Sequence, residues 1–173
     1  MRDFYRNLRR SNTIKKARPN ILFIVFDQMR ADALIGPLAD TIELPNFTQF
    51  KNESVSFLNH FSVTSPCGPA RASLLTGQYA MNHRSVRNGT PLAHDTSNLA
   101  TSLSSIGIEP LLYGYTDTSQ DPRMYEKGNP ILTSYEEVLN GFTEVQEMRF
   151  DTNKSWKDYL RENNYKFDKL SEI

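Results

Sequence analysis

The apolar run Ile21 to Phe26 follows Arg18-Pro19-Asn20 without interruption and is rich in branched and aromatic residues. A run of that length without alternation predicts a strand buried on both faces, as in parallel sheets. It stops at Asp27 and Gln28. In open α/β sheets the ligand crevice lies outside the carboxyl ends of the strands, so position alone makes Asp27 a candidate for chemistry. Phe47 and Phe50 stand at helical spacing after Pro45, predicting a short helix over 46–52 capped by Asn46. Val55, Phe57 and Phe61 fall on one side of a period-two pattern, predicting a second strand over 55–61. The Ser65-Pro66-Cys67-Gly68-Pro69 breaker opens a helix-forming stretch that Gly77 ends, placing Cys67 at a helix N-terminus. Leu99, Leu103 and Ile106 predict a helix over 98–106, and the run at 111–115 predicts the strand it feeds. The alternation of strand and helix favours an α/β sheet with covering helices.

Beyond Met124 the chain turns polar, with ten acidic against seven basic residues, and Trp156, Tyr159 and Leu160 form an amphipathic face over 154–162. Residues 124–173 are therefore expected as a peripheral layer or lid. The 173 residues suit one domain. Six consecutive apolar residues fall far short of the ~20 that a membrane-spanning helix needs, so no span is expected.

Charge redraws only the start of the chain. Net charge is zero, yet residues 1–18 carry seven Lys or Arg against Asp3. This basic N-terminal extension precedes the domain at 19–173 and reads as solvated tail, so nucleic acid is not expected as a partner. No apolar stretch with a small-residue cleavage site follows it, and a cytoplasmic location is the expectation. One cysteine, Cys67, forms no internal disulfide and supplies too few sulfurs for a structural zinc site.

At a helix start Cys67 meets the positive end of the helix dipole, and Arg71 lies one turn on along the same face. Both favour an anion, either a thiolate or a bound sulfate or phosphate group.

The stretch CGPARASLLTG at 67–77 resembles the C-x-P-x-R activation motif of sulfatases in the alkaline phosphatase superfamily. RPNILFIVFDQMRAD is similar to that family's first strand with its metal-binding end, and PNFTQF to the helix that follows. The pair Asp27-Gln28, MNHRSVRNGTPL at 81–92 and GYTDTSQDPR at 114–123 look most like phosphonate monoester hydrolases. The resemblance is strong over about residues 18–123 and weakens through 124–165. It implies a partial alkaline-phosphatase/sulfatase-like fold, a mixed sheet sandwiched by helices.

It also implies that a formylglycine-generating enzyme oxidises Cys67 to formylglycine, whose hydrated diol suits a hard cation where a thiol does not. One divalent metal ion, calcium or manganese, would be held by Asp27, Gln28 and the oxygen at position 67. In the family the ionised diol attacks the sulfur or phosphorus of a small anionic ester, and its second hydroxyl then expels the product. Arg71 resembles the arginine that steadies the nucleophile. Asn88 and Tyr115 match substrate-pocket positions. A turn-forming Asn88 ahead of Gly89 and a half-buried strand tyrosine are the competing readings.

Asp117 stands where the family has threonine, and its carboxylate would repel an anionic substrate. His60, His83 and His94 are expected as solvent or core histidines. The family's second acidic pair, with its lysine and histidine, does not follow within 173 residues. The chain thus reads as the N-terminal part of a sulfatase-like hydrolase, expected to lack turnover alone and, with sheet strands missing, to associate through exposed apolar surface. A non-catalytic interaction module and a cysteine hydrolase using a histidine base are the alternatives.

Overall fold

The computed structural model describes residues 19–134, 136–149 and 154–165. The basic arm at 1–18 lies outside them. The chain divides into two compact units, Met1–Leu58 and Asn59–Ile173.

The first unit holds a short helix α1 (Asp32–Ile35), a 3-10 turn (Pro37–Asp40) and α2 (Pro45–Asn52). Pro45 occupies the first helical position, where its missing N–H costs nothing. Leu44, and not Asn46, is the capping residue. Lys51 Nζ donates to Leu34 O at 3.2 Å, tying α2 to α1. Phe47 meets Phe26 edge-on, ring centroids 5.2 Å apart.

None of the described residues of this unit is buried. That corrects the buried strand expected at 21–26. The segment is not a strand and its six side chains are 51–85% exposed. A strand buried on both faces needs a ladder on each side, and among the described residues the only sheet is formed elsewhere. The alternating segment at 55–61, which crosses the boundary between the units, is likewise irregular and exposed. Alternation marks a strand only where one face finds cover.

The second unit opens with α3 (Cys67–Thr76), then α4 (Ala80–His83), α5 (Leu99–Ser105), β1 (Leu111–Gly114), β2 (Thr143–Glu147) and α6 (Lys154–Glu162). Gly77 ends α3 in the left-handed conformation (φ 68°), with its N–H donating to Ser73 O, as its sequence position predicts. Asn98 caps α5 in a reciprocal capping box with Thr101.

β1 and β2 pair in parallel, Leu111 opposite Thr143 and Gly114 opposite Glu147, with a bulge between Leu112 and Tyr113. β2 comes from the polar stretch beyond Met124. Thr116 extends the junction past β1: its Oγ1 donates to Glu137 O at 2.9 Å and accepts the Leu139 N–H at 2.7 Å.

The core is small, with Leu75 of α3, Leu92 and Leu139 buried together and Phe142 packed against them. On α6 only Leu160 is buried, while Trp156 and Tyr159 stack on each other 5.8 Å apart and stay half exposed. No helix among the described residues is long and apolar enough to cross a membrane.

Candidate active site around Cys67

Helix α3 carries the reactive candidates on its first turns. The Ser65-Pro66 peptide is cis, and Cys67, a free and half-buried thiol, is the first helical residue. First-turn amides have no partner within their own helix. The Gly68 N–H finds one outside: it donates to Asn88 Oδ1 at 2.8 Å. The same side chain presents its Nδ2 to Cys67 Sγ at 3.7 Å. Asn88 does sit in a turn ahead of Gly89 (φ 77°), and that turn is compatible with a side chain directed at the start of α3.

Arg71 extends from the next turn to Tyr115. Its Nη1 donates to Tyr115 O at 3.3 Å and its guanidinium carbon lies 4.8 Å from the ring centroid. A cation over an aromatic face gains about 0.5–2 kcal/mol, more as water is excluded. Tyr115 is half-buried just past β1, so the strand fixes where the arginine points.

Asp117, two residues on, is buried and holds a left-handed backbone (φ 56°). Its carbonyl closes on Gly68: a Cβ there would stand 3.3 Å from Asp117 O and 3.1 Å from Asn88 Oδ1. Gly68→Ala is therefore expected to push the Asn88 amide aside. Alanine gains ~1 kcal/mol of helix propensity over glycine, which offsets the ~0.5–1.5 kcal/mol of the weakened hydrogen bond. Stability should move by less than about 1 kcal/mol while the Asn88 side-chain amide resonances shift. Unmoved resonances would show that the contact is slack.

The structure thus brings Cys67, Arg71, Asn88 and Tyr115 together. Asp27 and Gln28 belong to the first unit, in a turn directly after the exposed apolar run. Gln28 has φ 54°, a backbone state that costs a non-glycine residue roughly 1–2 kcal/mol and persists where surroundings over-determine it. Their carboxylate and carboxamide oxygens suit a hard divalent cation. Among the described residues no cluster of three or more His, Cys, Asp or Glu side chains could hold a metal ion.

Two buried groups went unassigned in the sequence. His83 closes α4, with Nε2 2.9 Å from Ser73 Oγ and Nδ1 accepting the Ser85 N–H at 3.1 Å. A backbone amide only donates, so Nδ1 is unprotonated and Nε2–H donates to the serine. Both ring nitrogens are engaged. His83 is the core histidine expected, and it does not serve Cys67 as a base.

Burial pushes its pKa below the ordinary 6.5, against a smaller opposing effect of backbone hydrogen bonding. The unfolded chain then binds the extra proton first. His83's contribution to stability is complete above pH 6.5 and is lost as pH falls from there through its lowered native value, with a slope of at most ~1.4 kcal/mol per pH unit. Urea midpoints between pH 7.5 and 5 should show that loss in the native chain and less of it in His83→Gln.

Asp121 is the other buried group. Its carboxylate accepts from Arg123 Nε and Nη2 and from the backbone N–H of His94 and Arg123, which together hold it well below the usual carboxylate range. It caps the 3-10 turn at Pro122, and the Asp-Pro step carried that signal in the sequence.

These features are those of an alkaline-phosphatase-superfamily hydrolase fold in part, and solved structures agree. The phosphonate monoester hydrolase SpPMH from Silicibacter pomeroyi superposes with a TM-score of 0.79 at 55% identity, covering 90% of this chain and 31% of that one. The phosphonate monoester hydrolase of Agrobacterium radiobacter gives 0.75 at 43% identity, covering 84% and 29%. The family model named Sulfatase matches residues 19–170, and the chain belongs to the sulfatase family. The multifunctional alkaline phosphatase superfamily protein PehA of Trinickia caryophylli is 42% identical over 133 residues, 74% of this chain and 26% of that protein. The chain spans between a quarter and a third of the length of these relatives.

Proposed function

We propose that this chain carries the nucleophile half of a sulfate- or phosphonate-ester hydrolase, with Cys67 converted to formylglycine by a formylglycine-generating enzyme. The observation that carries the reading is the convergence of Asn88, Arg71 and Tyr115 on the first two turns of α3.

The residues fit an oxygen at position 67. The Asn88 carboxamide N–H already faces that atom, and an amide donor bonds an oxygen better than a sulfur. The α3 dipole and the charge of Arg71, one turn on, both favour a negative charge there. Arg71 is held by the Tyr115 carbonyl and ring, so its positive charge is in place before a substrate arrives, the preorganisation on which electrostatic catalysis depends. Formylglycine, when present, supplies a diol nucleophile. Asp27 and Gln28 carry the oxygens that would hold a divalent cation, calcium or manganese, and that cation would supply Lewis acidity. The substrate is a small anionic ester with a tetrahedral sulfuryl or phosphoryl group, and Tyr115 and Asn88 line its pocket.

The test is the mass of the peptide containing Cys67 after co-expression with a formylglycine-generating enzyme. Conversion of the CH2–SH group to an aldehyde CH=O, a loss of sulfur and two hydrogens with one oxygen gained, trapped with an aminooxy reagent, is the expected result. An unmodified thiol overturns the reading. The 173 residues alone are expected to give no turnover, and metal-dependent hydrolysis of an aryl sulfate or phosphonate ester by them would overturn that part.

A further inference from the structure

We infer that His83 is a positioning residue, a two-handed clamp that fixes the loop carrying Asn88 to helix α3 and so sets Asn88 against Cys67 and Gly68. One hand is Nε2, 2.9 Å from Ser73 Oγ on α3, two residues beyond Arg71. The other is Nδ1, which takes the Ser85 N–H at 3.1 Å. From Ser85 the connection runs on: its Oγ donates to Thr90 O at 3.0 Å, and the Thr90 N–H donates to Arg87 O at 3.0 Å. Those two bonds close the 85–90 loop on itself, with Asn88 at its turn. The loop then returns to α3 through Asn88 Oδ1 and the Gly68 N–H at 2.8 Å.

The path is a closed circuit: α3 to His83, His83 to Ser85, the loop to Asn88, and Asn88 back to the start of α3. Ser73, His83 and Ser85 are all buried, so water does not replace a lost partner and each bond fixes geometry. Arg84 between them has φ 61°, which turns the chain sharply at the point where the Ser85 amide meets the ring. Asn88 itself is only half-buried. A half-buried side chain aimed at a reactive atom needs its backbone held from behind, and the His83 circuit holds it. The catalytic weight of the clamp rests on the proposed role of Cys67 and Asn88, while its geometry does not.

Amide hydrogen exchange on the full chain tests this, read at the Gly68 N–H, whose partner is Asn88 Oδ1. His83→Gln keeps an amide donor near Ser73 and loses the acceptor for Ser85. It is expected to speed Gly68 exchange about two- to tenfold, the size of one lost hydrogen bond, and to leave the amides of Leu74, Leu75 and Thr76 in the last turn of α3 unchanged. Ser73→Ala releases the other hand with little change in volume and should act in the same direction. In an Asn88→Ala background, where the Gly68 amide has already lost its acceptor, His83→Gln should add nothing.

Equal acceleration at Gly68 and in the last turn of α3 would mean simple destabilisation and overturn the inference, as would additivity with Asn88→Ala. Failure of Cys67 to become formylglycine would remove the proposed function and leave these exchange rates as they are. The two readings therefore fail separately.

Discussion

Gly141→Ala is expected to lower the unfolding midpoint of the second unit by roughly 4–24 °C, the equivalent of ~2–6 kcal/mol. Gly141 has φ 101°, and an added Cβ would stand 2.8 Å from Thr101 N, 2.9 Å from Thr101 Cγ2 and 3.1 Å from Ala100 Cβ. Two costs combine. A side chain at that backbone angle is strained by about 1–3 kcal/mol, and the obstacle is the backbone of α5, beside a fully buried alanine, so the overpacking costs a further ~1–3 kcal/mol. Against a domain stability of about 5–15 kcal/mol the loss is severe. Thermal unfolding followed by circular dichroism measures it. A shift under ~2 °C would mean that the turn slides off the helix freely.

The consequence reaches the site, since this turn leads into β2, β2 pairs with β1, and β1 delivers Tyr115 to Arg71.

Asn98→Ala is expected to cost about 1–3 kcal/mol. Asn98 is buried, accepts the N–H groups of Ala100 and Thr101 at 2.8 and 3.1 Å, and donates to Asn140 O at 3.0 Å. Losing the cap alone costs ~1 kcal/mol. Losing the donor to Asn140 adds the rest, because it unpins the same turn that Gly141 forms. Asn98→Asp separates the two parts: it keeps the cap, and its carboxylate faces the Asn140 carbonyl without a proton to share. Urea denaturation of both variants gives the partition. If Asp restores full stability, the Asn140 bond contributes nothing. The two sites share one junction, so Gly141→Ala and Asn98→Ala should combine to less than their sum.

What the sequence made legible was set locally. Helix α3 with its Gly77 stop, helix α5 and strand β1 each depend on residues within a turn or two of one another, and each formed where the pattern placed it. Burial is not local. Ile21 to Phe26 has the composition of a core strand, yet core is a property of neighbours, and the described residues supply no strand to pair with it and only Phe47 against Phe26. β2 was hidden for the opposite reason: Thr-Glu-Val-Gln-Glu has no apolar run, and its pairing with Leu111–Gly114 is settled about thirty residues away. The cluster of Cys67, Arg71, Asn88 and Tyr115 was foreshadowed by resemblance in three separate stretches, 67–77, 81–92 and 114–123. His83 was not, since what makes it matter is Ser73, ten residues upstream and on another helix.

The exposed run at 21–26 has a consequence in time. Synthesis proceeds from the N-terminus at about 5–20 residues per second, so in relatives three to four times as long as the stretch matched here the ribosome adds several hundred residues after this one. During those tens of seconds the six uncharged apolar side chains of this run, with no proline among them, would offer a ready binding motif for a holdase chaperone.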